Sequence, residues 1–162
     1  MEPNRPEQPN DRTPSPAFEE ARRRRADLHQ ALVALEESIS SPASGRLEQW
    51  TADVTKHLNE LVQTLREHVE TTERVGGLYD DIRMRAPRLA PSISRLQEEH
   101  PELVQATMEL VRRFESTPVG GDWELRDARD DVQRVLGKLV RHRQQGADLV
   151  WEAYNLDIGG LE

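Results

Sequence analysis

Four stretches of this chain repeat apolar residues at alternating steps of three and four, and clusters of Pro, Gly and Ser separate them. Such steps bring side chains onto one face of an α-helix. The first helix is expected over residues 17–40, with Leu28, Leu32, Leu35 and Ile39 on its face, and "SSPASGR" ends it. Pro42 cannot continue a helix, and Ser and Gly favour the turn. The second is expected over 46–74, with Trp50, Val54, His57, Leu61, Leu65 and His68 on one stripe. In the connection "VGGLYDDIRMRAPRLAPS" the glycines end that helix and the prolines delay the next, leaving room for a short helix at 79–85. The third starts at 91 or 92 and runs to 115, with the stripe Ile93, Leu96, His100, Leu103, Thr107, Leu110 and Phe114. After "STPVGGD", Asp122 is the expected N-cap of the fourth, whose stripe is Ala128, Val132, Val135, Leu139, His142, Gly146, Leu149 and Ala153.

No segment shows the two-residue alternation of a strand, and no internal repeat stands out. Four amphipathic helices with polar connections predict an all-α fold: an antiparallel up-down four-helix bundle with a short extra helix in the second connection. A length of 162 residues suits one domain with a real core. Residues 1–16 are rich in Pro, Asn and charge without an apolar period, and read as a disordered tail preceding a bundle over 17–162. At the other end, "VWEAYNLDIGGLE" predicts a helix that stops near Tyr154, with Leu156 and Ile158 folding back over the bundle. The alternative is an apolar docking peptide for a partner or a compartment shell.

Composition closes several routes to function. A net charge of −8 leaves no large basic surface for a phosphate backbone, so no nucleic-acid partner is expected. The basic cluster Arg22 to Arg25 spans one helical turn and reads as a solvated face. No apolar run approaches the roughly 20 residues of a membrane span, and the first residues have no hydrophobic core of a signal peptide. A cytoplasmic protein without a membrane partner is the expectation. There are no cysteines, which removes disulfides, thiolate metal sites and cysteine nucleophiles and leaves His, Asp and Glu as metal ligands. The acidic run around Asp127 to Asp131 lacks the glycine and spacing of a calcium loop. Gly76 and Gly77 follow no strand and precede no Lys-Ser/Thr, so they are turn residues rather than a phosphate loop. No nucleophile elbow is present.

The histidines are the feature that packing does not explain. His100 and His142 lie in apolar stripes where leucine would pack better. His57 and His68 share the inner face of the second helix, eleven residues or roughly 16 Å apart. His29 lies on the flank of the first helix, about 90° from the centre of its apolar arc. A buried imidazole needs partners for both nitrogens, or it costs on the order of 1–3 kcal/mol per unpaired group. For one such residue a neighbouring side chain is the ordinary answer. One on each helix suggests a shared metal ion, and bundle cores build such sites.

The segments "LHQALVALEESI", "LREHVETTERVGGLYDDI", "APRLAPSISRLQEEHPEL" and "RHRQQGADLVWEAYNLDIGG" together resemble the bacterial hemerythrin-like, or HHE cation-binding, proteins over roughly residues 24–160. The likeness lies in one histidine per helix in order, a glycine-containing connection after the second helix, and the Glu99–His100 pair in the third. It implies a four-helix bundle holding non-haem iron, in the family a di-iron centre, through histidines and bridging carboxylates. It also implies a small diatomic ligand, with oxygen binding or a response to oxidants as the function. Carried over by position, the metal ligands are His29, His68, His100 and His142, with Glu73 as the nearest carboxylate. The departures are specific. The second-helix carboxylate position, four residues after His68, is Thr72, and Glu73 stands about 140° round the helix from His68. Leu96 occupies the position four residues before His100, and Ala147, then Asp148, the position five residues after His142. A set of five histidines and two bridging carboxylates is therefore not present.

A straight hairpin between the first two helices would bring His57 closer in level to His29 than His68, so His57 stays an alternative ligand. Glu36 reads as a partner of His29 or as a solvated flank residue. The leading expectation is an iron protein that binds or senses oxygen or a related small oxidant, with another divalent metal in iron's place as the variant of it. The alternative is a metal-free helical scaffold or interaction domain with a degenerate site. Binding is expected rather than catalysis, because a peroxidase-like reaction needs an open metal position and proton-transfer groups that the sequence does not locate.

Overall fold

The computed structural model describes residues 15–156. Of the tail expected over residues 1–16, residues 1–14 lie outside them, as does Ile158 of the expected fold-back. Five α-helices follow one another: α1 (Pro16–Ser40), α2 (Leu47–Glu73), the short α3 (Leu78–Arg85), α4 (Ala90–Ser116) and α5 (Leu125–Trp151). A single turn of 3-10 helix (Pro87–Leu89) leads into α4, and one wider helical turn (Glu152–Leu156) prolongs α5. The long helices α1, α2, α4 and α5 make the antiparallel four-helix bundle, and α3 is the extra helix in its second connection. There is no strand among the described residues, only an isolated bridge between Val119 and Trp123. None of the described helices is long and apolar enough to cross a membrane.

The helix ends follow local chemistry. Pro16 takes a first-turn position of α1, where its missing N–H costs nothing, and the Ser15 hydroxyl caps it by accepting from the Phe18 N–H at 3.1 Å. Helix α1 thus begins inside the stretch expected to be tail. At its other end Arg129 of α5 donates to the carbonyls of Ile39 and Ser41, both at 2.9 Å, which satisfies acceptors the helix leaves free. Asp122 does not cap α5. The turn closes one step later through the Gly120 N–H on the Trp123 carbonyl, and Glu124 holds the cap position with no side-chain bond.

Ion pairs set the level of α1 against α2. Arg24 meets Glu67 at 3.1 Å, and Glu20 pairs with Arg74. The interior divides in two. A large apolar cluster centred on Trp50, Leu61, Leu103, Phe114 and Leu139 fills one end of the bundle. A smaller one, with Leu78, Tyr79, Ile82, Ile93, Leu96 and Leu149, fills the other. Between them the stripes turn polar: Leu65 gives way to His68 on α2, Leu103 to His100 on α4, and Leu139 to His142 on α5.

Candidate metal centre

At this polar level three helices each contribute one imidazole. His68, His100 and His142 are 7%, 1% and 3% exposed, and one ring nitrogen from each lies within 4.8 Å of the others. The rings of His100 and His142 stand edge to face with their Nε2 atoms 3.1 Å apart, and His68 meets both at near right angles.

The hydrogen bonds indicate where the protons sit. His142 Nδ1 is 2.6 Å from Glu99 Oε2, and since a carboxylate only accepts, Nδ1 carries the hydrogen. His142 Nε2 is then a lone pair aimed at the centre, where the His100 Nε2–H donates to it. His100 Nδ1 is buried without a hydrogen bond, with Glu73 Oε1 3.6 Å away, beyond bonding distance. Moving the His100 proton to Nδ1 would turn it toward Glu73 and free a second inward lone pair. His68 has no partner on either nitrogen. A cation at the centre would satisfy all three rings, with Glu99 and Glu73 behind two of them in the carboxylate–histidine–metal manner. Bound ions of this kind hold imidazole nitrogens at about 2.0–2.1 Å, so the cluster needs only a small inward closure.

Electrostatics keeps the His68 and His100 rings neutral, as metal ligands must be. Burial lowers His68 to about 4, helped by His142 and Arg25, and lowers His100 to about 3, helped by His68 and His142. Burial also raises Glu73, against a hydrogen bond from Gln97. Tyr79 covers the cluster, its ring stacked on His100 at 5.9 Å and its hydroxyl 3.4 Å from His100 Nε2. A tight turn before α3 fixes that placement. At Gly77 a Cβ would come within 2.6 Å of the Thr71 carbonyl oxygen, so only glycine lets the chain double back here.

The family model described as the hemerythrin HHE cation binding domain matches residues 19–146. The chain belongs to this family. No curated protein and no solved structure gives a match. Membership makes this a metal-binding helical domain, and His68, His100 and His142 are the residues that could hold the ion.

In this HHE domain the residues expected as ligands do not all meet. His29 is exposed on α1 and takes no part in the cluster. The Arg24–Glu67 pair sets its level near residue 62, roughly 9 Å along the axis from His68. His57 faces outward and bonds Glu60 at 3.2 Å, because Leu58 takes the inner position in its place. Glu36 is exposed as well. Glu73 ends α2 and reaches the cluster from outside, toward His100 on the neighbouring helix rather than toward His68. Thr72 turns its hydroxyl back onto the carbonyls of His68 and Val69.

Three residues at the site were not singled out from the sequence. Glu99 was noted only as half of a motif. Tyr79 carried no signal, since it belongs to a connection. Arg25, expected with Arg22 to Arg24 on a solvated face, instead turns inward: Ala21, Arg25, Leu28, Leu32, Leu35 and Ile39 keep the four-three step, so Arg25 stands in the stripe of α1 as His100 does in α4.

Proposed function

We propose that this HHE domain binds a single iron ion through His68, His100 and His142 and uses it to hold or sense oxygen or a related small oxidant. The observation that carries the reading is the convergence of three buried imidazoles from three helices, one of them with no hydrogen-bond partner at all. Glu99 orients His142, and Glu73 either backs His100 or closes in as a fourth ligand. Iron suits imidazole with carboxylate, and a ferrous ion held here would offer an open coordination position and one electron to a diatomic oxidant. A single ion fits better than a pair. Among the described residues the convergent ligand atoms belong to three histidines and no carboxylate, and the family's second-helix carboxylate position is Thr72. Tyr79 and the apolar cluster beyond it exclude bulk water from the inner face. On the outer side a surface groove lined by Glu99, Leu103, Lys138 and Gln145 reaches the edge of His142 and gives a small ligand a way in.

The test is metal analysis of protein purified without added metal, followed by anaerobic titration with ferrous iron. The expected result is one iron per chain, a higher melting temperature with iron than with chelator, and an absorption change when oxygen or nitric oxide is admitted. A melting temperature indifferent to both iron and chelator, with no uptake, leaves a metal-free scaffold.

A further inference from the structure

The level of the histidines holds a second unsatisfied set. Arg25 of α1 and Arg143 of α5 line one small cavity together with His68, Thr72, Tyr79 and His142. The cavity measures about 20 Å³, room for one water-sized group. The Nε of each arginine is buried and has no hydrogen-bond partner. No ion pair joins either guanidinium to a carboxylate among the described residues, although the neighbouring arginine Arg24 pairs with both Asp27 and Glu67. Two like charges thus face the same partly buried space without a counter-charge, an arrangement that costs energy unless something negative enters it.

We infer that Arg25 and Arg143 form a binding site for a small free oxyanion with the planar two-oxygen edge of formate or nitrite, directly beside the histidine cluster. The guanidinium fork matches such an edge with paired N–H donors, and the cavity admits one oxygen of it but not the bulk of a larger anion. The Thr72 hydroxyl on the cavity wall is already engaged with its own helix, so the two arginines supply the recognition. The site does not depend on the metal reading, since all of its donors are present without an ion.

The experiment uses the full chain stripped with chelator, so that no metal can serve as the anion's partner. Sodium formate and sodium nitrite are titrated while melting temperature and heat of binding are followed, with a bulky sulfonate buffer salt at matched ionic strength as control. Formate or nitrite should stabilise saturably and the sulfonate should not. Arg25→Gln and Arg143→Gln should each weaken the anion at least tenfold, and Arg25→Lys, which keeps charge but loses the fork, should fall between. Circular dichroism confirms that each variant is folded, and a failure of Arg25→Gln to fold leaves Arg25→Lys and Arg143→Gln to decide. Equal stabilisation by the sulfonate, or formate affinity unchanged in the variants, overturns the site. Because iron is absent throughout, failure here leaves the metal reading standing, and the reverse also holds.

Discussion

The two ends of the bundle solve the same packing problem differently. At the larger end, Leu35, Trp50, Leu61, Phe114 and Leu139 meet from four helices and nothing there asks for a specific partner. One level further on, the same stripes present His68, His100, His142 and Arg25, and each must find a hydrogen bond, a cation or an anion. Apolar contacts are non-directional and tolerate small shifts of one helix on another, whereas imidazole nitrogens answer only to atoms in the right place. The first end makes the fold and the second uses it. Stability and function are therefore separable by level in this molecule.

Substitutions can test that division. The largest effect is expected at His100→Leu, which should abolish iron uptake because the remaining ligands cannot complete the sphere. In chelated protein the same change should be neutral or stabilising by roughly 0–2 kcal/mol, since leucine restores the stripe and removes a poorly satisfied ring. Iron titration and denaturant unfolding of the two forms read the two signs. If His100→Leu destabilises the metal-free protein strongly, the layer is part of the core and the comparison fails.

Leu61→Ala, at the apolar end, should do the opposite. It should cost about 2–5 kcal/mol with or without metal, measured by urea unfolding, and leave one iron per chain.

A pH series sharpens the contrast without mutation. His68 and His100 are held to about 4 and about 3 when folded, while in the unfolded chain they titrate near the ordinary histidine value of about 6.5. The unfolded state therefore binds more protons below that value, and folding loses stability as pH falls from about 6.5 toward 3. Melting curves of chelated protein between pH 7 and 4 should show a steady fall, and His100→Leu should flatten it. An unchanged slope in the variant would mean that exposed carboxylates, not the buried layer, set the acid limit.

The smallest effect is expected at His29. On the exposed face of α1, His29→Ala should change stability by less than about 0.5 kcal/mol and leave metal content as it was. Loss of iron from that variant would restore His29 to the ligand set.

How much of this the sequence carries depends on whether the information is local. The helices and their breaks are local: the stripe Ile93 to Phe114 is buried residue for residue, Pro42 stops α1 by its own backbone chemistry, and Gly77 admits the tight turn that opens α3. The ordered histidines on α2, α4 and α5 are legible because each interrupts a stripe. The level of one helix against another is not local. It is set by pairs such as Arg24 with Glu67, forty-three residues apart, and without that level His29 and Arg25 could not be told apart as neighbours of His68. His57 shows a finer limit. From Val54, steps of three and of four are both helical, and only packing chose Leu58 over His57.

The ligand set also omits one long helix. An ion on His68, His100 and His142 would staple α2, α4 and α5 together and leave α1 outside the cross-link, held by apolar contacts, the Glu20–Arg74 and Arg24–Glu67 pairs and whatever occupies the arginine cavity. Opening of α1 and release of the ion are then distinct events with distinct barriers. The domain could breathe along one of its four edges, exchanging a small ligand through the gap, without ever letting go of its metal.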